Sequence, residues 1–276
     1  MAFAHPWFNV PGMTRCFSSL GCAEFSLDDV LSLARVNAIP SVELRSLGGT
    51  LDLPSYFAGL VGSPAGLAAK MRAATVRIVA LDTSLKLAGS SDEDWIKITE
   101  SFLPWAEALG GVKLRVFDGG TGGAPDEISA MAARVEWWQL LRRERGWKSE
   151  LMVETHDSLF TGSAVMKLIA KAPGVGILWD SHHTWKRGGE DPVTTWRVLA
   201  PHVTHIHVKD SASRPSAKLP YSYVLPGTGE FPAAPLMRVL ESEYRGDLSL
   251  EWERLWHPYL PPLEQALVSA RERHWW

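Results

Sequence analysis

Short runs rich in Val, Ile and Leu recur along the chain, each followed by a longer segment whose apolar positions repeat at helical spacing. The runs are Thr14–Ser18, Ser41–Arg45, Val76–Asp82, Val112–Phe117, Glu150–Glu154, Val175–Asp180, Val203–Lys209 and Leu248–Trp252. Helices are expected over Ser26–Asn37, Asp92–Leu109, Glu127–Trp147, Gly162–Lys171, Asp191–Leu199, Ala233–Tyr244 and Pro262–Arg273. Several start with a capping Ser or Asp or with Pro, and some end at Gly, as at Gly110-Gly111 and Gly174. Eight alternations of strand and helix over 276 residues match an α/β fold of the (β/α)8 TIM barrel kind, read as one domain spanning 1–276. A doubly wound open sheet is the runner-up. The longest irregular stretch, Asp210–Phe231, follows the seventh run and in a barrel overhangs the C-terminal mouth.

Charge and composition exclude whole classes. With 46% hydrophobic residues the chain has ample material for a core, and a net charge of −3 offers no basic face to nucleic acid or to an anionic membrane. No apolar run approaches the ~20 residues that span a bilayer. Met1–Thr14 has neither the basic nor the continuous apolar stretch of a secretory signal, so a cytoplasmic protein is expected. Two cysteines, Cys16 and Cys22, are too few for a disulfide scaffold.

The chemistry lies at the ends of the apolar runs. Glu154 ends the fifth, Asp180 ends the sixth, His205 and His207 lie in the seventh, and Glu251 lies near the end of the eighth. A charge closing a buried strand must be paired or bound to metal, and in a closed barrel these four ends converge on one side of the mouth. Carboxylates with an imidazole suit one divalent ion; the hard oxygens favour Mn2+ or Mg2+, and the imidazole keeps Co2+ and Zn2+ in play. Period-2 geometry points His205 and His207 the same way, with His207 nearer the mouth and His205 deeper. The duller reading of the carboxylates is as ion-pair partners of Arg45, Arg115 or Lys209.

The ordered motifs resemble those of the xylose isomerase-like (sugar phosphate isomerase/epimerase) TIM barrels, over essentially the whole chain. Glu154-Thr155-His156, Asp180-Ser181-His182-His183, His207-Val208-Lys209-Asp210, Pro226-Gly227-Thr228-Gly229 and Glu251 are similar to the family's motifs after the fifth to eighth strands. The resemblance implies that Glu154, Asp180, His207 and Glu251 hold one metal ion. It also implies that His183, rather than His182, faces substrate, and that Glu154 and Glu251 double as acid and base. Further substrate contacts are expected from His156, Lys209 and Glu43, although Lys209 and Arg115 also suit neutralisation of the carboxylates, and Glu43 suits hydrogen bonding to loop backbone. Gly227 and Gly229 read mainly as a turn, with a phosphate cradle as the minor reading. Trp179, Trp185, Trp252 and Trp256 flank the proposed mouth and could stack on a sugar ring.

The implied activity is isomerisation or epimerisation of a sugar or polyol: proton abstraction beside a metal-bound carbonyl through an enediolate. Dehydration of an inosose or keto-sugar would use the same residues, and a sugar-binding barrel without turnover is a third reading. The segments after Glu154 and His207 lack the arginine and Gly-Glu patterns of some ketose 3-epimerases, which leaves the substrate open. A three-zinc nuclease of the same barrel type is rejected, because Leu81-Asp82-Thr83 and Arg115-Val116-Phe117-Asp118 supply no histidine. The aromatic tail His274-Trp275-Trp276 points weakly to a self-association surface.

Overall fold

The computed structural model describes residues 12–275, and the eight runs read as strands form a closed barrel. Its strands are β1 (Thr14–Ser18), β2 (Ser41–Leu44), β3 (Arg77–Lys86), β4 (Lys113–Phe117), β5 (Leu151–Glu154), β6 (Gly176–Asp180), β7 (Val203–Val208) and β10 (Asp247–Leu250). The order β1-β10-β7-β6-β5-β4-β3-β2 returns to β1 through parallel pairing at every step, which rules out the open doubly wound sheet. The ends of the expected domain, residues 1–11 and 276, lie outside the described residues.

The connecting helices are α1 (Leu27–Val36), α2 (Leu53–Val61), α3 (Pro64–Arg72), α4 (Asp92–Ala108), α5 (Pro125–Arg145), α6 (Gly162–Lys171), α7 (Ser181–Lys186), α8 (Pro192–Leu199), α9 (Ala233–Glu243) and α10 (Leu263–Glu272). Reciprocal capping starts α1 and α4: Ser26 with Asp29, and Ser91 with Asp94. α2, α3 and α7 were not among the helices expected. Pro54 and Pro64 each sit in a first turn, where a missing N–H costs nothing, behind the caps Asp52 and Ser63. The stretch Asp210–Phe231 is not wholly irregular either: β8 (Asp210–Ala212) and β9 (Ser222–Val224), which follow β7, pair antiparallel in a separate two-stranded sheet.

Most apolar side chains pack between the barrel and its helices in one continuous core that includes Trp95, Trp179, Trp196 and Trp252. The barrel's interior is different. Ala80, Met152 and Leu178 form a small apolar cluster apart from that core. Around and above it, the strands bury Glu43, Asp82, Arg115, Glu154, Asp180, His205 and His207. Strand geometry explains the division, since alternate residues face opposite sides of the wall. No helix among the described residues is long and apolar enough to cross a membrane.

Candidate metal centre

β5, β6, β7 and β10 are neighbours in the barrel, and their C-terminal ends bring Glu154, Asp180, His207 and Glu251 together. One ligand atom from each lies within 4.8 Å of the others, and all four residues are buried. Asp180 and His207 sit opposite each other in the β6–β7 register. Glu251 lies one residue past β10 and is held in line by its amide, which donates to the Val208 carbonyl at 3.1 Å.

The environment of His207 gives the cluster its direction. Its Nε2 lies 3.1 Å from Glu43 Oε2, while its Nδ1 faces Glu154 and Glu251 at 3.6 and 3.4 Å. Nδ1 is buried without a hydrogen-bond partner. Asp180 Oδ2 also lacks a well-aligned donor, although Lys209 Nζ lies 2.7 Å away. An imidazole nitrogen left open toward three carboxylates, with a fourth carboxylate behind the ring, fits a divalent ion. The residues present therefore suit the metal that the motifs imply, and Glu154, Asp180, His207 and Glu251 would hold it.

Opposing charges set the protonation states. Burial pushes the Glu154 carboxyl up, but Arg115, with Nη1 at 3.2 Å from Oε2, holds it below the usual carboxylate range. Against the same effect of burial, Lys209 and His207 hold Glu251 well below that range. Asp180 goes the other way: burial raises it to about 6 despite Lys209. His207, ringed by Glu43, Glu251 and Glu154, is raised well above an ordinary imidazole although burial opposes its charge. Lys209 Nζ bridges Glu251 and Glu253, each at 2.5 Å, as well as Asp180.

The other expected contacts sort into distinct places. His183 donates Nδ1–H to the Thr155 carbonyl at 3.0 Å, since a carbonyl can only accept, and its amide donates to Asp180 at 2.9 Å. Burial and Lys209 keep its ring neutral. His182 instead turns into an aromatic cluster with Trp185, Tyr221 and Tyr223, its Nε2 2.8 Å from Ser211 Oγ. His156 stays 37% exposed at the mouth, edge-on to His183, with Nδ1 on Asp157 at 3.0 Å. Glu43 corrects the sequence reading, because its carboxylate meets neither loop backbone nor the open mouth. It is fully buried and directed at His205 (2.5 Å) and His207. Cys16 completes a second group with Glu43 and His205, but Glu43 and His205 are already in direct contact and burial keeps the Cys16 thiol protonated.

Two carboxylates to which the sequence assigned no role organise the loops around the mouth. Asp118, just past β4, accepts from the amides of His156, Asp157, Ser158 and Leu159 and from Ser158 Oγ. Asp210 accepts from the amides of Ser211, Gly227, Gly229 and Phe231. This overturns the phosphate cradle: the amides that would wrap a phosphate already serve Asp210, and a Cβ at Gly229 would lie 2.3 Å from Asp210 Oδ1. Trp179 and Trp252 are core residues, with indole N–H groups donated to Thr184 and the Pro261 carbonyl, so they offer no stacking face. Trp275 is buried against Phe231 of its own chain, which removes the reason to read self-association into the tail; Trp276 lies outside the described residues.

The model of the xylose isomerase-like TIM barrel family matches residues 42–274. The chain belongs to that family. No curated protein sequence matches it. Among solved structures, this xylose isomerase-like barrel is similar to the probable 3-DHS dehydratase AsbF of petrobactin synthesis from Bacillus anthracis. That similarity has a TM-score of 0.77 and 20% identity, and covers 95% of this chain and 100% of that one. The IOLI protein with a bound zinc atom gives a TM-score of 0.72 at 18% identity over 95% and 96% of the two chains. A xylose isomerase domain-containing protein from Salmonella typhimurium LT2 gives 0.71 at 17% identity over 97% and 99%. At these identities the likeness concerns the fold.

Proposed function

We propose that this barrel is a divalent-metal-dependent isomerase or epimerase of a sugar or polyol, working by proton transfer at carbon beside a carbonyl. The observation that carries the reading is the convergence of Glu154, Asp180, His207 and Glu251, all buried, at the ends of four adjacent strands. A bound divalent ion supplies a Lewis acid that polarises the carbonyl and offsets the charge developing on deprotonation. The hard oxygen donors favour Mn2+, with Mg2+, Co2+ and Zn2+ as alternatives.

Glu154 and Glu251 are the acid and base. Both are held below the usual carboxylate range, so each is ready to accept a proton at neutral pH. They lie at the ends of different strands, Glu154 paired with Arg115 and Glu251 with Lys209. The carboxylate that takes a proton from a bound sugar can return it to the neighbouring carbon, which is isomerisation; epimerisation needs the opposite carboxylate first to take up a proton from solvent and then deliver it to the other face. His183 presents a neutral ring with Nδ1 committed to Thr155, which leaves Nε2 able to accept from a substrate hydroxyl. The raised Lys209 is too weak an acid to lead the proton transfer and serves to balance the carboxylates. The proposed partner is a small molecule, in keeping with the family. Carbohydrate metabolism in the cytoplasm is the setting that this proposal implies.

Proton NMR in D2O tests the reading. Protein loaded with Mg2+, or with Mn2+ that is stripped before recording, meets ketoses, keto-inositols and 3-keto sugars. Deuterium entering beside the carbonyl with a new isomer is the expected result, and Glu154→Gln and Glu251→Gln should each lower turnover by at least about 10²-fold. A deoxy or unsaturated product assigns a dehydratase on the same residues. Metal held without exchange on any member of the panel counts against catalysis on these sugars and favours a binding barrel.

A further inference from the structure

The mouth contains one buried cation that the proposed chemistry does not use. Arg45 follows β2 directly and is 5% exposed. Its Nη1 donates to the Asp82 carbonyl at 3.2 Å and its Nη2 to Ser84 Oγ at 2.8 Å. Both acceptors are neutral. Buried Arg115 and Lys209 pair with Glu154 and Asp180, at 3.2 and 2.7 Å. Arg45 has no carboxylate within 4.0 Å among the described residues. A buried charge satisfied only by neutral groups leaves much of its desolvation cost uncompensated, so a missing counter-ion is a physical expectation at this position.

The surroundings show where that counter-ion would come from. Burial and the nearby Arg115 lower the Arg45 guanidinium to about 10 against the pull of Asp82, Glu154 and Glu251, so it shares the electrostatic field of the metal cluster; the Asp82 carboxylate sits on Arg115 instead, at 3.8 Å, and burial raises it to about 8. Its hydroxyl partner Ser84 is exposed, the Lys86 side chain on the same strand is 46% exposed, and His156 is 37% exposed across the mouth. Solvent therefore reaches the groups beside Arg45 at the ends of β3 and β5.

We propose that the substrate of this site carries a carboxylate, and that Arg45 holds it on the β2–β3 side of the Glu154–Asp180–His207–Glu251 cluster. The proposal rests on the metal-dependent sugar reading above and narrows its substrate to a keto-sugar acid or a carboxylated cyclic polyol derivative. A carboxylate fits better than a phosphate for two reasons. One guanidinium offers one charge in a planar fork that matches a carboxylate. The amides of Gly227, Gly229 and Phe231 that could have wrapped a phosphate are committed to Asp210.

Calorimetric titration of the Mg2+-loaded full chain tests this with two matched pairs: D-fructose with D-fructuronate, and myo-inositol with quinate. The acid of at least one pair should bind at least about tenfold tighter than its neutral partner, the strength of a charged hydrogen bond. Arg45→Gln should weaken the acid by about ten- to a hundredfold and the neutral partner by less than about threefold. Arg45→Lys, which keeps the charge without the fork, should fall between, and an unchanged far-UV circular dichroism spectrum in both variants shows that the barrel is intact. Equal binding of acid and neutral partner, or equal loss of both in Arg45→Gln, overturns the carboxylate proposal alone. Mg2+ held with neither pair bound overturns it together with the sugar reading, and failure to hold Mg2+ removes the cluster on which both rest.

Discussion

At the residue scale, the decisive group behind the metal cluster is Glu43. Sequence reasoning placed it against substrate or loop backbone, but the structure seats it beneath His207, with its oxygens on the His207 and His205 Nε2 atoms. A carboxylate behind a ligating imidazole fixes the ring and raises its basicity, and losing such a partner typically costs about 10–100-fold in metal affinity. Glu43→Gln should therefore weaken metal binding by that factor, measured by chelator competition. A substrate contact would behave differently, raising KM while leaving metal affinity unchanged, so the two roles separate in one variant. Nothing local in the sequence could have assigned this role, because Glu43 and His207 are 164 residues apart and only closure of the barrel joins them. The four residues of the candidate cluster stood out for the opposite reason: each announces itself locally, as a charge or imidazole at or near the end of an apolar run.

At the element scale, most of the wall could be read directly. β1 has the bounds its apolar run predicts, and β4, β5 and β6 differ by one residue at their starts. β3 runs on to Lys86, past the expected stop at Asp82. α7 escaped notice because it has only six residues, yet it explains the Asp-x-x-His spacing: Asp180 caps α7 through the His183 amide, which ties a proposed ligand and a proposed substrate contact to one turn. The loop after β5 depends on Asp118 in a similar way. Its carboxylate accepts four amides and one hydroxyl, and in Asn one oxygen becomes a donor facing other donors. Asp118→Asn should cost about 3 kcal/mol, the loss of two or so charged hydrogen bonds less some relaxation. For a chain of this size that corresponds to a fall in Tm of about 6–12 °C. An unchanged Tm would mean that the loop carrying His156 is held by other contacts, among them those from Arg187 to the His156 and Asp157 carbonyls.

At the scale of the whole molecule, the barrel buries its ionisable groups inside the wall, with apolar packing outside it. A groove of about 570 Å³ between α4 and α5, lined by residues such as Leu103, Trp137 and Trp147, lies outside the barrel and away from the mouth. Glu154, Asp180 and Glu251 meet at one end of the wall, and a divalent cation that binds only the folded chain stabilises it by mass action, about 2.7 kcal/mol at a concentration 100 times Kd. That corresponds to a rise in Tm of about 5–11 °C. The rise should depend on pH in a defined direction. The Asp180 carboxyl is lifted from 3.8 to about 6, so the cation-free fold gains from protonation of Asp180 at low pH and loses that gain as pH rises through about 6. Metal must displace this proton and the one on the raised His207, so its contribution runs the other way and fades as pH falls through about 6. Differential scanning fluorimetry with Mg2+, Mn2+, Co2+ and Zn2+ between pH 5 and 8 reads both trends at once. A Tm rise with Mn2+ at pH 7.5 that is lost near pH 5, and lost at every pH in His207→Ala, is the expected pattern; a rise that survives in His207→Ala would put the cation elsewhere on the molecule.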